Sequence, residues 1–122
     1  MKIELEKNEA VQIMPVDYPS RDDCPIDVIR EMMPLAEVMT QLAEEASELA
    51  QAALKYRRTL SNANPTPVTR HEAEILLLEE IADVKLCLHV AGFEAVRHKI
   101  QVNRTITAKA ERWLKRLMER TR

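Results

Sequence analysis

Glycine is almost missing from this chain of 122 residues, with Gly92 the only one. Aromatic residues are nearly as scarce: Tyr18, Tyr56, Phe93 and Trp113 are the whole set. Sheets draw on β-branched and aromatic strands joined by glycine-bearing turns, so this composition excludes a β-rich fold. Cysteine is limited to Cys24 and Cys87, which show no metal-ligand spacing. Cys87 lies in an apolar helical run and reads as a small buried hydrophobe. No apolar run approaches the ~20 residues of a membrane span. The first residues are charged rather than apolar, so no signal region is read there. A reduced, cytoplasmic protein without a membrane partner is the expectation.

What the chain does have is Ala, Leu, Glu, Lys, Arg and Met in excess, all good helix formers. Its length suits one domain. The expected fold is all-α: an antiparallel bundle of about four helices (residues 31–122) behind an extended arm (residues 1–30) that carries Pro15, Pro19 and Pro25. Asp27 is placed to cap a short helix through Met33, and Pro34 to open a helix from Leu35 to Arg58. The stretch from Ser61 to Pro67 is the clearest loop. Thr69 and Glu72 have capping-box spacing, and Gly92 marks the stop of the helix they begin. A last helix follows, with a break placed at Arg104 to Thr107. Trp113 reads as its apolar anchor, and Met32, Met33 and Met39 as core or interface filler.

Charge is unevenly spread. Residues 97–122 hold nine Lys or Arg against Glu111 and Glu119, whereas residues 1–96 hold 18 acidic and nine basic side chains. The asymmetry suits an anionic partner, or two halves that attract each other. More informative are two acidic clusters inside apolar helical runs, Glu44-Glu45-Ala46-Ser47-Glu48 and Glu80-Ile81-Ala82-Asp83. At 100° per residue, Val38, Leu42, Ala46, Leu49 and Ala53 form an apolar stripe with Glu45 on its border and Glu48 one step beyond; Glu44 falls further out. In the next helix Glu80 falls among Leu76, Val84, Cys87 and Ala91, with Asp83 between Leu76 and Val90. His71 and His89 read as polar-face residues.

The acids of each cluster stand three apart, so they project from one face, and like charges at that spacing weaken a helix. No basic residue between Gln41 and Leu54 neutralises the first cluster. Antiparallel packing would gather Glu45, Glu48, Glu80 and Asp83. Carboxylates taken out of water without a partner cost several kcal/mol, roughly. A hard cation removes that cost, and oxygen-only ligation points to Mg²⁺ or Mn²⁺. The plainer alternative is a solvated acidic face, with Glu80 and Asp83 paired to bases of the last helix. A ferritin-like di-iron bundle needs Glu-x-x-His, but Val68, Leu86 and Ala95 precede His71, His89 and His98 at that distance.

The pattern Glu-Glu-x-x-Glu followed by Glu-x-x-Asp, within QLAEEASELAQA and LLLEEIADVKL, resembles the MazG-like, all-α nucleoside triphosphate pyrophosphohydrolases. Lys99 and Asn103 stand at the spacing of a third element of that family. The likeness spans roughly residues 36–113. It implies Mg²⁺-dependent cleavage of a (deoxy)nucleoside triphosphate into monophosphate and pyrophosphate. By the same likeness Glu45, Glu48, Glu80 and Asp83 are metal ligands and Glu44 orients or deprotonates water. Lys99 and Asn103 hold phosphate, with Arg104, Lys109 or Arg112 adding charge. A homodimer or homotetramer with the site near a subunit interface is also implied. Two features depart from the family pattern: the long stretch between Glu48 and Glu80, and Thr107 where a basic residue is usual. Competing readings are a helical interaction or nucleic-acid-binding protein that uses the basic tail, and a catalytically silent nucleotide-binding relative. No nucleic acid is expected under the enzyme reading.

Overall fold

The computed structural model describes residues 24–61 and 67–120. The arm expected over residues 1–30 lies outside them except for its last residues, as does the centre of the loop, residues 62–66. The described residues form four helices: α1 (Pro25–Met32), α2 (Leu35–Thr59), α3 (Arg70–Ala91) and α4 (Val96–Arg120). The fold is all-α, as composition requires.

Local chemistry sets most boundaries. Pro34 is the N-cap of α2 and its carbonyl accepts from the Glu37 and Val38 N–H groups at 3.0 and 3.2 Å. Thr69 caps α3 through a full capping box, its hydroxyl accepting from the Glu72 N–H at 3.1 Å while the Glu72 carboxylate accepts from the Thr69 N–H at 3.2 Å. Gly92 ends α3 at φ 88°, a left-handed conformation open to glycine at little cost. The N-cap position of α1 is not the expected Asp27. Cys24 is the N-cap of α1 without a side-chain bond, and Asp27 sits in the first turn, where Pro25 already supplies a preorganised start. The expected break at Arg104 to Thr107 is also absent. There α4 runs through, and the Thr105 and Thr107 hydroxyls donate to the carbonyls of Gln101 and Asn103, one turn back, at 3.0 and 3.1 Å.

Packing is concentrated on α3, which lies along α2 and takes α1 at its C-terminal end. Val38 shares a cavity with Cys87 and Val90, and Glu45 meets Glu80, so α2 and α3 run antiparallel. Val38 and Ala52 of α2 and Ala73, Cys87 and Val90 of α3 are buried. Ala73 is the most deeply buried of these, only 1% exposed. The buried face of α2 is rotated from the stripe read in the sequence: Ala52 is inside, whereas Ala46 and Ala53 are exposed. Arg30 of α1 clamps the end of α3, donating from Nε to the Val90 carbonyl at 3.0 Å and from its other nitrogens to the His89 carbonyl and Asp27. These carbonyls belong to the last turn of α3, where a cation also complements the helix dipole.

Among the described residues no comparable packing holds α4. Residues 101–120 are exposed throughout. Trp113 is 63% exposed, so it does not act as the expected anchor, and Met32, Met33 and Met39 are exposed rather than core. No helix among the described residues is long and apolar enough to cross a membrane.

Candidate metal centre

Midway along the α2–α3 pair, three carboxylates converge. One oxygen each from Glu45, Glu48 and Glu80 lies within 4.8 Å of the others, and no other such group of ligating side chains occurs among the described residues. The sequence clusters supply them because Glu45 and Glu48 are three apart on α2, while Glu80 stands on the α3 face that packs against α2. Glu45 and Glu80 are half-buried and Glu48 is exposed, so the group opens to solvent on one side. Asp83 stands one turn beyond Glu80 and is half-buried, but it is not among the three converging residues. Glu44 is exposed.

The surroundings make this a poor place for three bare anions. Glu45 Oε1 accepts from the Gln41 amide at 2.8 Å, but Oε2 of Glu45 and Oε2 of Glu80 are buried and have no hydrogen-bond partner. Neighbouring carboxyls offer a bond only while one of them carries a proton. Accordingly the Glu48 carboxyl is pushed above its ordinary value, first by the Glu45 charge, then by a shared hydrogen bond with Glu45 and by the Glu80 charge. The adjacent Cys87 thiol is also raised, by burial first and then by the charges of Glu45 and Asp83. A divalent cation fits this donor set: all donors are oxygens, two lack partners, and like charges are crowded.

An apolar cavity of about 150 Å³ adjoins the acids. Ile29, Met33, Val38, Cys87 and Val90 line it together with Gln41, whose amide also holds Glu45. Gln41 is therefore a site residue that reading the sequence for acids alone passes over. The signal is present: a Gln four residues before a Glu forms this bond along one helix face. Arg30 gives no such signal, because its partners are backbone carbonyls of another helix.

The structure does not bring the basic residues to the acids within one chain. Lys99 pairs with Glu94 at 3.5 Å, and Asn103, Arg104, Lys109 and Arg112 lie on the exposed length of α4. Trp113 and Arg116 share an open surface groove with Lys109 and Arg112 there. No family model, curated protein or solved structure matches this chain.

Proposed function

We propose that the chain is a Mg²⁺-dependent nucleoside triphosphate pyrophosphohydrolase of the MazG-like type, with Mn²⁺ as the alternative metal. The observation that carries this reading is the pair of buried, partnerless oxygens on Glu45 and Glu80, converging with Glu48. These three residues would hold the metal, and Asp83, one turn along α3, completes the set through a small side-chain rearrangement. When bound, the metal supplies positive charge for the triphosphate and lowers the pKa of an attacking water. Glu44, on the wet side of α2, would orient that water or take its proton. Gln41 fixes Glu45 through its amide and leaves the second oxygen of Glu45 for the metal. The adjoining cavity is about the size that accepts a single ring, and we assign it to the planar base of the substrate. Lys99 and Asn103 would hold phosphate oxygens, with Arg104, Lys109 and Arg112 adding charge. Because α4 stands clear of its own acids, this role goes with a homodimer or homotetramer in which α4 reaches a site. A cytoplasmic setting belongs to the same reading.

The test is a panel of nucleoside and deoxynucleoside triphosphates with Mg²⁺, scored for pyrophosphate. Turnover of at least one substrate is expected, abolished by chelator and by Glu48→Gln. Release of orthophosphate and a diphosphate would reject the bond assignment. Full activity in Glu80→Leu would reject the ligand assignment. A reading as a nucleic-acid-binding module is favoured only by the exposed basic α4. It predicts steeply salt-dependent polynucleotide binding without metal, and it leaves the partnerless oxygens unexplained.

A further inference from the structure

Helix α1 lies before the stretch that resembles the pyrophosphohydrolases, so its part in the site is not inherited from that likeness. It is eight residues long, none of its side chains is buried, and it packs chiefly on α3. Yet it supplies one wall of the apolar cavity beside the acids. Ile29 and Met33, four apart and so on one side of the chain's turn, line that cavity together with Cys87 and Val90 of α3. A helix this short is marginal alone, and with so little burial its position depends on few contacts.

Arg30, next in sequence to Ile29, supplies such a contact. Its Nε donates to the Val90 carbonyl at 3.0 Å, a second guanidinium nitrogen donates to the His89 carbonyl, and the third donates to Asp27 within α1 at 3.2 Å. Two adjacent carbonyls at a helix end suit the planar fork of arginine, which reaches both at once where an ammonium is a point charge. Val90 takes part twice, because its side chain lines the cavity while its carbonyl holds Arg30. The hydrogen bond that places α1 is therefore anchored on the lining itself. Gln41, which fixes Glu45, lines the same cavity, so the placement of α1 also sets where a ring seated there lies relative to the acids. Resting on the assignment of this cavity to the substrate base, we propose that Arg30 is a positioning residue, which holds α1 against α3 and so sets the wall on which the base lies. It acts through α1, since it does not itself line the cavity.

The experiment compares the full wild-type chain with Arg30→Ala and Arg30→Lys by two readouts. The first is alkylation of Cys87 by N-ethylmaleimide, an uncharged single ring, with peptide mapping to separate it from Cys24. Cys87 is 7% exposed, so its reaction reports the opening of the cavity. Arg30→Ala is expected to speed the reaction by about tenfold or more, beyond what its shift in urea midpoint accounts for, because the opening is local. The second is steady-state kinetics on the triphosphate turned over fastest in the panel. There KM is expected to rise about tenfold, with kcat and Mn²⁺ affinity within about twofold of wild type. Arg30→Lys keeps a positive charge at the end of α3 but not the fork, so it should recover the urea midpoint while labelling rate and KM stay raised. An Arg30 that merely caps α3 would give labelling in proportion to lost stability, and full recovery in Arg30→Lys; either result overturns the proposal. So does a wild-type KM in Arg30→Ala. Labelling requires neither metal nor nucleotide. A wild-type chain that turns over no triphosphate would therefore reject the proposed function, while the labelling still decides whether Arg30 holds α1.

Discussion

Helices α2 and α4 are each 25 residues long and both are amphipathic, yet they fare differently in the fold. Along α2, polar side chains fall on the face that meets α3, so Glu45 loses water and Glu48 is crowded by its neighbours. Along α4, Lys99 and Asn103 sit on the apolar side of the helix by the 100° step, but among the described residues no other helix packs closely on that side. The difference teaches that a charge on an apolar face loses its water only where a second helix closes over it. The acids of α2 and α3 converge within one chain; the bases of α4 do not join them.

The sharpest way to break the comparison is to remove one group from each region. Under the proposed function Glu80→Gln is expected to lower pyrophosphate release by at least ~100-fold, about 2.7 kcal/mol of transition-state stabilisation. Lys99→Ala is expected to act mainly through KM, by about tenfold, the pattern of a lost binding contact. Steady-state kinetics of both variants decide it, and equal losses in kcat would put Lys99 at the reacting atoms. Packing separates the regions in the same direction. Ala73→Leu forces bulk into a position only 1% exposed and should cost about 1–3 kcal/mol. Ile106→Ala on exposed α4 should stay within about 0.5 kcal/mol in the isolated chain. Urea unfolding measures both. A large loss for Ile106→Ala would show that α4 is covered in solution.

Much of this architecture is legible in the residues themselves. The scarcity of glycine and aromatics determines the class, and Thr69, Glu72 and Gly92 mark both ends of α3 because capping chemistry is local. Glu80 stands out because it interrupts an apolar arc. What stays hidden depends on distance in three dimensions. The rotation of α2 toward Ala52 rather than Ala53 is decided by how α3 docks, and a helical wheel with apolar residues on both candidate arcs does not choose between them. The continuity of α4 is masked because Thr105, Ile106 and Thr107 are poor helix formers, yet the hydroxyls of both threonines bond back to the preceding turn. Asp83 obeys the sequence pattern, but the three carboxylates that converge are Glu45, Glu48 and Glu80.

The caps give the next effects in size. Thr69→Ala removes the hydroxyl that accepts from Glu72 and should cost about 0.5–2 kcal/mol. In Gly92→Ala the new methyl meets no neighbour within 4 Å, so the cost is backbone strain alone, about 1–2 kcal/mol. Because both caps act on α3, either loss should loosen the acid cluster as well as the helix. Metal titration of these variants, compared with their urea midpoints, checks that link.

The smallest effect is the most specific to the acid cluster. Glu48 has a folded-state pKa raised above its unfolded value, chiefly by Glu45. The folded chain therefore holds that proton more tightly than the unfolded chain does. Its stabilising contribution is complete below the unfolded pKa and is lost as pH rises through the folded one. In chelator, the stability of the chain should accordingly fall between mildly acidic and neutral pH, by a modest amount because Glu48 is exposed. Glu48→Gln should flatten this slope, since it removes the titrating group. Mg²⁺ should reverse the slope under the proposed function, because ligand carboxylates must be ionised to bind it. On α4, Glu111 has no second acid within a helical turn of it, so Glu111→Gln should leave the slope unchanged. Urea midpoints across that pH range, with and without metal, distinguish a cluster waiting for a cation from a merely acidic surface: an acidic surface would show the fall without the reversal.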